Sequence, residues 1–236
     1  MLITAVTAAA FGTNCWVVAP GPRGDCIIVD PGIGVLDSLR DVLVTERLRP
    51  SAILLTHGHA DHVWSVVGVC GTADPPPAVY LHPDDAYRLV DPLAMLDESL
   101  VAMLAAQFPR EATWQRPADV VEIGDSRPIE TAGLVIEVSH SPGHTEGSVV
   151  FGLDGGADQP VLLSGDLLFA GSIGRSDLPG GDPARLVESL RQVMAAHQDE
   201  TRVLPGHGPV TTIGAERVGN PYVRAALASA RGRGRS

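Results

Sequence analysis

One short segment of the chain carries four side chains that commonly bind metal ions, namely His57, His59, Asp61 and His62. Three further candidate ligands lie far downstream: His144 in Ser-Pro-Gly-His-Thr, Asp166 in Ser-Gly-Asp and His207 in Pro-Gly-His-Gly. Residues two apart on an extended segment point the same way, so His57 and His59 are predicted to face one ion together. Asp61 and His62 follow as the chain turns into a helix, and they are predicted to face a second ion. The set predicts a two-metal site, which can make hydroxide from water at neutral pH.

Each group of ligands directly follows a predicted strand. Short apolar runs bounded by turn-forming residues predict these strands at residues 53–56, 134–139, 160–164 and 202–204. Because the carboxyl ends of strands converge on one edge of a sandwich, ligands far apart in sequence are predicted to meet in space. Five of the eight histidines belong to this set, which is difficult to explain by chance.

The rest of the pattern predicts an α/β fold with four layers. Further strands are predicted at residues 2–7, 16–19, 26–30, 78–81, 120–123 and 148–153, and helices at 35–48, 61–69, 83–90, 183–197 and 214–230. Two β-rich halves with helices outside them predict one domain over residues 1–236, a four-layer αβ/βα sandwich. Residues 91–118 carry apolar side chains at helical spacing and are predicted to form a helical segment that either covers the site as a lid or packs as an ordinary helix. Residues 231–236 are predicted to be a disordered tail.

Composition excludes several classes of function. The formal net charge is −11, so no nucleic-acid partner is expected. All 17 basic residues are Arg, and the absence of Lys excludes Schiff-base and P-loop chemistry. No apolar run reaches the ~20 residues of a membrane span, and the N-terminus is typical of a first strand, so a cytoplasmic protein without membrane partners is expected. Three scattered cysteines, Cys15, Cys26 and Cys70, are expected to be reduced thiols.

The ligand motifs resemble the successive signature motifs of the metallo-β-lactamase-fold hydrolases. They read THGHADH at 56–62, SPGHT at 141–145, SGD at 164–166 and PGHG at 205–208. Asp30 in Val-Asp-Pro-Gly matches the acidic residue of that superfamily's first motif. More narrowly, Asn14-Cys15, GSIGRSDLPGG at 171–181 and GHGPVTTIGAERVGNPY at 206–222 are similar to the short glyoxalase II-like, or hydroxyacylglutathione hydrolase-like, branch of bacteria. The resemblance covers nearly the whole chain and implies the metallo-β-lactamase fold.

The resemblance also assigns the ligands to two divalent metal ions. It implies His57, His59 and His144 for the first ion, and Asp61, His62 and His207 for the second. Asp166 and a water or hydroxide would bridge the two ions. Asp30 would sit beneath the site and orient a ligand. Imidazole and carboxylate ligands suit zinc, iron or manganese, and zinc is the expected cofactor.

The reaction that this resemblance implies is hydrolysis of a thioester, from an S-2-hydroxyacyl-thiol to a free acid and a thiol. Hydroxide would attack the carbonyl, and the thiolate, whose conjugate acid has a pKa of about 8.5, would leave without an obligatory general acid. Asp61 and Asp166 are the predicted catalytic carboxylates, and Asp166 would hydrogen-bond the hydroxide. Arg175 is a candidate for binding an anionic substrate group, or else forms a structural ion pair. His140 is a candidate for contacting substrate or a metal ligand.

Several alternatives use the same scaffold. A persulfide dioxygenase would use His57, His144 and Asp166 around one iron, and a lactonase would direct the same hydroxide at a cyclic ester. A true β-lactamase is disfavoured by a bridging Asp166, and an RNA-processing nuclease is disfavoured by the charge. A non-catalytic metal-binding module is disfavoured by the complete ligand set. No counterpart of the glutathione-contacting helical domain follows His207, so a thiol other than glutathione is also an open alternative.

Overall fold

Two six-stranded β-sheets form the framework of the protein. The computed structural model describes residues 1–94, 96–108, 113–124, 127–155 and 158–233. The first sheet contains, in spatial order, β1 (Leu2–Thr7), β2 (Asn14–Ala19), β3 (Gly24–Val29), β4 (Leu48–Leu54), β5 (Ala78–Leu81) and β6 (Val120–Glu122). The second sheet contains β7 (Ile129–Thr131), β8 (Leu134–His140), β9 (Val149–Leu153), β10 (Val161–Gly165), β13 (Arg202–Pro205) and β14 (Thr211–Thr212), in the order β14-β13-β10-β9-β8-β7. A small hairpin, β11 (Leu168–Phe169) with β12 (Ser172–Ile173), follows β10.

Helices cover the outer faces of both sheets. They are α1 (Leu36–Glu46), α2 (Ala60–Val63), α3 (Val66–Cys70), a 3₁₀ helix (Pro83–Leu89), α4 (Glu98–Gln107), α5 (Pro183–Ala196), α6 (Ile213–Gly219) and α7 (Pro221–Arg233). Apolar residues of α1 and α3 pack on the first sheet, and those of α5 and α7 pack on the second. Within the described ranges, no helix has both the length and the apolar character needed to cross a bilayer.

Alternation along the strands separates the layers of the core. In β2, Trp16 and Val18 join the cluster between the sheets, whereas Cys15 and Val17 join the cluster beneath the outer helices. Phe151 of β9 belongs to the same inner cluster as Trp16 and is fully buried. The predicted four-layer sandwich is therefore confirmed, with two sheets inside and helices on both outer faces.

The main difference from the predicted elements lies just before the histidine motif. Helix α1 ends at Glu46 rather than at residue 48, because Arg47 adopts a left-handed conformation with φ 55°. Strand β4 then begins at Leu48 rather than at residue 53. Pro50 has no N–H to donate within a sheet, but the pairing of β4 with β3 shifts register beside it, where such a residue is tolerated.

Smaller differences concern short elements. The predicted helix 61–69 is divided into α2 and α3, because Ser65 turns its backbone N–H to the carbonyl of Pro31 at 2.9 Å. The predicted helix 83–90 is a 3₁₀ helix. Strands β7, β11, β12 and β14 have only two or three residues each, too few to show an alternating pattern.

The segment predicted as a lid contains α4, which packs beside the histidine motif. Leu104 of α4 is buried in a cluster with Ile33, Ala60 and Trp64. Residues 95 and 109–112 of this segment lie outside the described residues, so its covering role stays a prediction. At the C-terminus, α7 continues through Arg233 into the stretch predicted as a tail, and residues 234–236 lie outside the described residues.

Candidate metal centre

The seven predicted metal ligands come together at the carboxyl ends of four strands. The segment 57–62 follows β4, His144 follows β8, Asp166 follows β10 and His207 follows β13. His57, His59 and His144 form one group whose ligand atoms all lie within 4.8 Å of one another, hereafter the first cluster. Asp61, His62 and His207 form a second such group, hereafter the second cluster.

Asp166 lies between the two clusters. Its Oδ2 atom is 3.5 Å from His144 Nε2 in the first cluster and 3.6 Å from His207 Nε2 in the second. Its Oδ1 atom is 3.4 Å from His62 Nε2. One carboxylate is therefore within reach of a cation in either cluster.

The hydrogen bonds of the first cluster determine which ring nitrogens carry lone pairs. Thr56 Oγ1 donates to Asp30 Oδ2 at 2.7 Å, so at 3.0 Å it accepts from His57 Nδ1. His144 Nδ1 donates to the carbonyl of Arg175 at 2.7 Å. With both Nδ1 atoms protonated, the Nε2 atoms of neutral His57 and His144 carry lone pairs.

These two lone pairs point at the same atom, His59 Nδ1. His57 Nε2 lies 3.1 Å and His144 Nε2 lies 2.9 Å from it. A proton on His59 Nδ1 could satisfy only one of the two nitrogens. A cation among the three nitrogens would satisfy all of them, which is the arrangement expected of a metal site.

The second cluster directs a ring nitrogen at carboxylates. His62 Nδ1 donates to Asp30 Oδ2 at 3.0 Å, which leaves Nε2 facing Asp61 Oδ2 at 3.5 Å and Asp166 Oδ1 at 3.4 Å. Among the described residues, His62 Nε2 and Asp166 Oδ1 are buried without a hydrogen-bond partner, as is His59 Nε2. A buried nitrogen lone pair facing carboxylate oxygens requires a proton or a cation between them. The donor set therefore fits a divalent metal.

The two clusters have opposite effects on histidine protonation. Burial and the neighbouring imidazole of His144 lower the pKa of His59 to about 3, and burial and His62 likewise lower the pKa of His57. Burial also disfavours the charged form of His62, but Asp61, Asp166 and Asp30 outweigh it and raise its pKa to about 10. His57 and His59 of the first cluster are thus neutral, whereas His62 of the second holds a proton when no cation is present.

Asp30 supports both clusters from beneath. It is 1% exposed and adopts a left-handed backbone with φ 52°. Its carboxylate accepts from Thr56 N at 2.8 Å, from Thr56 Oγ1 and from His62 Nδ1. Thr56 in turn accepts from His57, so one carboxylate orients a histidine of each cluster.

A family model described as the metallo-beta-lactamase superfamily matches residues 8–207, a range that includes all seven ligands. The chain belongs to the metallo-β-lactamase superfamily. Membership and the ligand clusters together support a metal-dependent hydrolase with a dinuclear centre.

Several relatives and solved structures are similar to nearly the whole chain. An uncharacterised protein of Mycobacterium tuberculosis is 43% identical over 226 residues, covering 94% of this chain and 98% of the relative. The hydroxyacylglutathione hydrolase GloC of Haemophilus influenzae is 28% identical over 232 residues, with 94% and 98% coverage. The structure of TTHA1623 in a di-iron-bound form has 36% identity and a TM-score of 0.73, covering 93% of this chain and 99% of that chain. The BLEG-1 B3 metallo-beta-lactamase has 33% identity and a TM-score of 0.77, with 94% and 99% coverage.

The two candidate substrate-binding residues, Arg175 and His140, form contacts outside the two clusters. The guanidinium of Arg175 pairs with Asp177 at 2.8 Å, and its carbonyl, as described, accepts from His144. His140 donates from Nε2 to the carbonyl of Glu146 at 2.8 Å, and its ring stacks on His82 with 4.1 Å between centroids. Neither side chain belongs to the first or second cluster, and their roles toward substrate stay predictions.

Several residues around the centre were not singled out from the sequence. Thr13 is buried and donates from Oγ1 to Asp61 Oδ2 at 3.1 Å. Asn14 donates from Nδ2 to the carbonyls of Pro205 and Gly208 at 3.1 and 2.8 Å, on either side of His207. Asp85 is also missing from the predicted set, although it contacts loops that carry ligands. The only sequence signal was the Asn14-Cys15 similarity to the glyoxalase II-like branch, which carries no geometric information.

Proposed function

We propose that this protein hydrolyses thioesters, in the manner of a hydroxyacylglutathione hydrolase, with two divalent cations at the centre. The observation that carries the proposal is the position of Asp166, whose oxygens lie 3.4–3.6 Å from histidines of both clusters. A carboxylate shared in this way suits two adjacent cations rather than one isolated iron. A persulfide dioxygenase with one iron is therefore the less favoured function.

The residues that would hold the cations follow from the geometry. The first cluster would hold one through three ring nitrogens, the second would hold the other through Asp61 and two ring nitrogens, and Asp166 would contact both. Two bound cations lower the pKa of water and polarise a carbonyl oxygen. We propose zinc as the metal, since imidazole and carboxylate donors suit it, with iron or manganese as the alternatives. The di-iron-bound form of TTHA1623 keeps iron among the metals to be assayed.

The chain's own residues contribute charge and orientation. Asp166 and Asp61 have side chains that are 11% and 22% exposed, so both reach the face where water and substrate would enter. We assign them as the catalytic carboxylates: each can accept a hydrogen bond from the attacking water and offset the cation charge. Asp30 and Thr13 hold the ligands in one orientation, which keeps the reacting geometry ready before substrate arrives. A thiolate leaves without help from a general acid.

The thioester class is supported by similarity to a named relative. GloC of Haemophilus influenzae, by its name a hydroxyacylglutathione hydrolase, is similar to this chain over 94% of its length. The thiol is proposed to be glutathione or another small thiol, and the only partner proposed is this small-molecule substrate. Arg175, whose side chain is 60% exposed, is proposed to meet an anionic group of the substrate.

One alternative is favoured by a specific comparison. The BLEG-1 structure, titled a B3 metallo-beta-lactamase, is 33% identical to this chain over 94% of its length. The same centre could direct water at a β-lactam carbonyl, whose nitrogen is a poorer leaving group than a thiolate. A nitrogen leaving group needs a proton donor, and the described residues of the two clusters offer no general acid set apart from the cation ligands. Thioester hydrolysis is therefore the main proposal.

The test combines metal analysis with a panel of substrates. The purified protein is analysed for zinc, iron and manganese, then assayed on S-lactoylglutathione, its analogues with other thiols, a lactone and a β-lactam. We expect two cations per chain and the highest kcat/KM on a thioester, with the activity lost to a chelator and restored by metal. Full activity in the metal-free protein, or turnover of the β-lactam or lactone alone, would contradict the proposal.

A further inference from the structure

A buried ion pair lies directly behind the first cluster without belonging to it. Asp85 and Arg88 lie on the 3₁₀ helix Pro83–Leu89, where they are 0% and 5% exposed. Arg88 Nε donates to Asp85 Oδ1 at 3.3 Å. One long hydrogen bond of this kind does not by itself explain a fully buried carboxylate.

Among the described residues, the other hydrogen-bond partners of the Asp85 carboxylate lie on the segment 57–62 and on the loop of His144. Its Oδ2 atom accepts from Gly58 N at 2.7 Å, and Gly58 stands between His57 and His59. The same oxygen accepts from Thr145 Oγ1 at 2.8 Å, directly after His144. Oδ1 accepts from Gly147 N at 2.9 Å. One carboxylate therefore joins the loop of His57 and His59 to the loop of His144.

Arg88 extends the connection to a third loop. Its Nη2 atom donates to the carbonyl of Pro179 at 3.0 Å and to Glu146 Oε2 at 2.6 Å. The Pro179 loop also contains Arg175, whose carbonyl accepts a hydrogen bond from His144 Nδ1 at 2.7 Å. The ion pair thus contacts the segment of His57 and His59, the loop of His144 and the loop whose carbonyl accepts a hydrogen bond from His144.

Two glycines show how closely the loops approach this pair. A Cβ atom at Gly58 would lie 2.9 Å from the Cβ of Arg88, and one at Gly147 would lie 2.7 Å from Asp85 N. Both distances are shorter than side chains tolerate, so only glycine lets the two loops reach the carboxylate. The second cluster has further supports, since His62 donates to Asp30 and Asp61 accepts from Thr13, although Asp30 also reaches His57 through Thr56.

We infer that Asp85, held in place by Arg88, is a positioning residue for the first metal cluster: it sets the spacing between His144 and the pair His57 and His59. The inference rests on the proposed metal-dependent function but does not depend on which substrate is hydrolysed. Its consequence is selective. Loss of the carboxylate should weaken cation binding at the first cluster and leave the second cluster unchanged.

The main test is Asp85→Asn, measured as Co²⁺ binding to the metal-free protein. An amide keeps one acceptor oxygen but turns an NH₂ group toward donors, so one of the two oxygens that join the loops is lost. The measurement uses two backgrounds that isolate the clusters: His207→Ala for the first and His144→Ala for the second. We expect Asp85→Asn to weaken Co²⁺ binding about 10- to 100-fold in the His207→Ala background and to change the visible Co²⁺ spectrum. In the His144→Ala background, Asp85→Asn should change neither the Co²⁺ affinity nor the visible spectrum.

A milder pair of variants tests the same connection if Asp85→Asn does not fold. Thr145→Val removes the hydroxyl that donates to Asp85 while keeping the side-chain shape, and Thr145→Ser keeps the hydroxyl. We expect Thr145→Val to weaken the first cluster selectively and Thr145→Ser to restore wild-type Co²⁺ affinity. Equal affinity in both variants would overturn the inference.

A control separates positioning from general stability. Leu190 is fully buried on α5, in the cluster under the second sheet. Leu190→Ala should lower the unfolding temperature but bind Co²⁺ as the wild type does. If Asp85→Asn also lowers only the unfolding temperature, with unchanged Co²⁺ affinity and spectrum, the pair is merely structural. If cobalt binding shifts as expected and no thioester is hydrolysed by the wild type, the substrate proposal fails while the positioning role stands.

Discussion

The first cluster consists of three imidazoles, whereas the second combines the carboxylate of Asp61 with two imidazoles. The two lie side by side, yet their histidines differ in charge. The pKa of His59 falls to about 3 because burial and the neighbouring His144 oppose a proton. The pKa of His62 rises to about 10 because three carboxylates outweigh the effect of burial. Neighbours, rather than residue type, therefore decide whether a buried histidine is ready to bind a cation.

The supports of the two clusters differ as well. Ligands of the first cluster are oriented by the hydroxyl of Thr56, the backbone carbonyl of Arg175 and the loops joined at Asp85. Those of the second are oriented by the carboxylate of Asp30 and the hydroxyl of Thr13. The comparison implies that His57 and His59 bind a cation without releasing a proton, whereas His62 must exchange a proton for one.

The largest effect is expected where the two clusters share a ligand. Asp166→Ala removes the carboxylate that contacts histidines of both, so thioester hydrolysis should fall about 100- to 1000-fold or more. Metal analysis should show loss of cation from both clusters. Asp25→Ala, which removes an exposed carboxylate paired with Arg49, serves as the matched control and should retain full activity. A single lost cation would show that Asp166 belongs to one cluster only.

A pair of substitutions tests whether the clusters are independent. His144→Ala removes a ligand of the first cluster only, and His207→Ala removes one of the second only. Each variant should retain about one cation per chain, with that cation's affinity reduced by about 10-fold or less, since Asp166 and Asp30 remain in place. Metal content after dialysis is the measurement. Loss of both cations from either variant would mean that the clusters form a single cooperative unit.

The charge difference predicts a difference in pH dependence. His62, with a raised pKa of about 10, is protonated near neutral pH, so cation binding to its Nε2 must displace that proton. The affinity of the second cluster should therefore rise by about tenfold per pH unit from about pH 7 to 9, and that of the first should stay nearly constant. Calorimetric titration of His144→Ala and His207→Ala in buffers of different ionisation enthalpy measures the protons released. Equal proton release by the two variants would contradict the assigned charges.

The smallest effect concerns the support of the second cluster. Thr13→Val removes the hydroxyl that donates to Asp61 at 3.1 Å and should weaken cation binding at the second cluster by about tenfold. The first cluster should bind as before, because Thr13 contacts none of its ligands through the bonds described. Thr13→Ser retains the hydroxyl and should bind like the wild type. Cobalt titration measures the affinity of the second cluster in both variants. Identical binding curves would show that the Thr13 hydroxyl does not support this cluster.

Much of the centre could be read from the chain because its chemistry restricts the residue types. Few side chains bind divalent metals, and His57 to His62 concentrates four of them after an apolar strand. The strands 2–7 and 78–81 were also predicted with the bounds they have. The start of β4 was predicted wrongly, since Pro50 and Arg49 give no local strand signal and the pairing with β3 is a long-range effect.

The amino-acid sequence by itself determined the candidate ligands, the fold class and the order of most strands, because these depend on residue chemistry and on local periodicity. Only the tertiary structure decided what holds the ligands. Asp85 in Pro83-Asp84-Asp85 resembles an ordinary acidic residue at a helix start, and nothing local indicates that it meets Gly58 and Thr145. Such contacts join segments that are 27 and 60 residues apart, so they arise only after the sheets have brought the loops together. The same physical reason explains the opposite pKa shifts of His59 and His62, which follow from the charges that folding places around each ring.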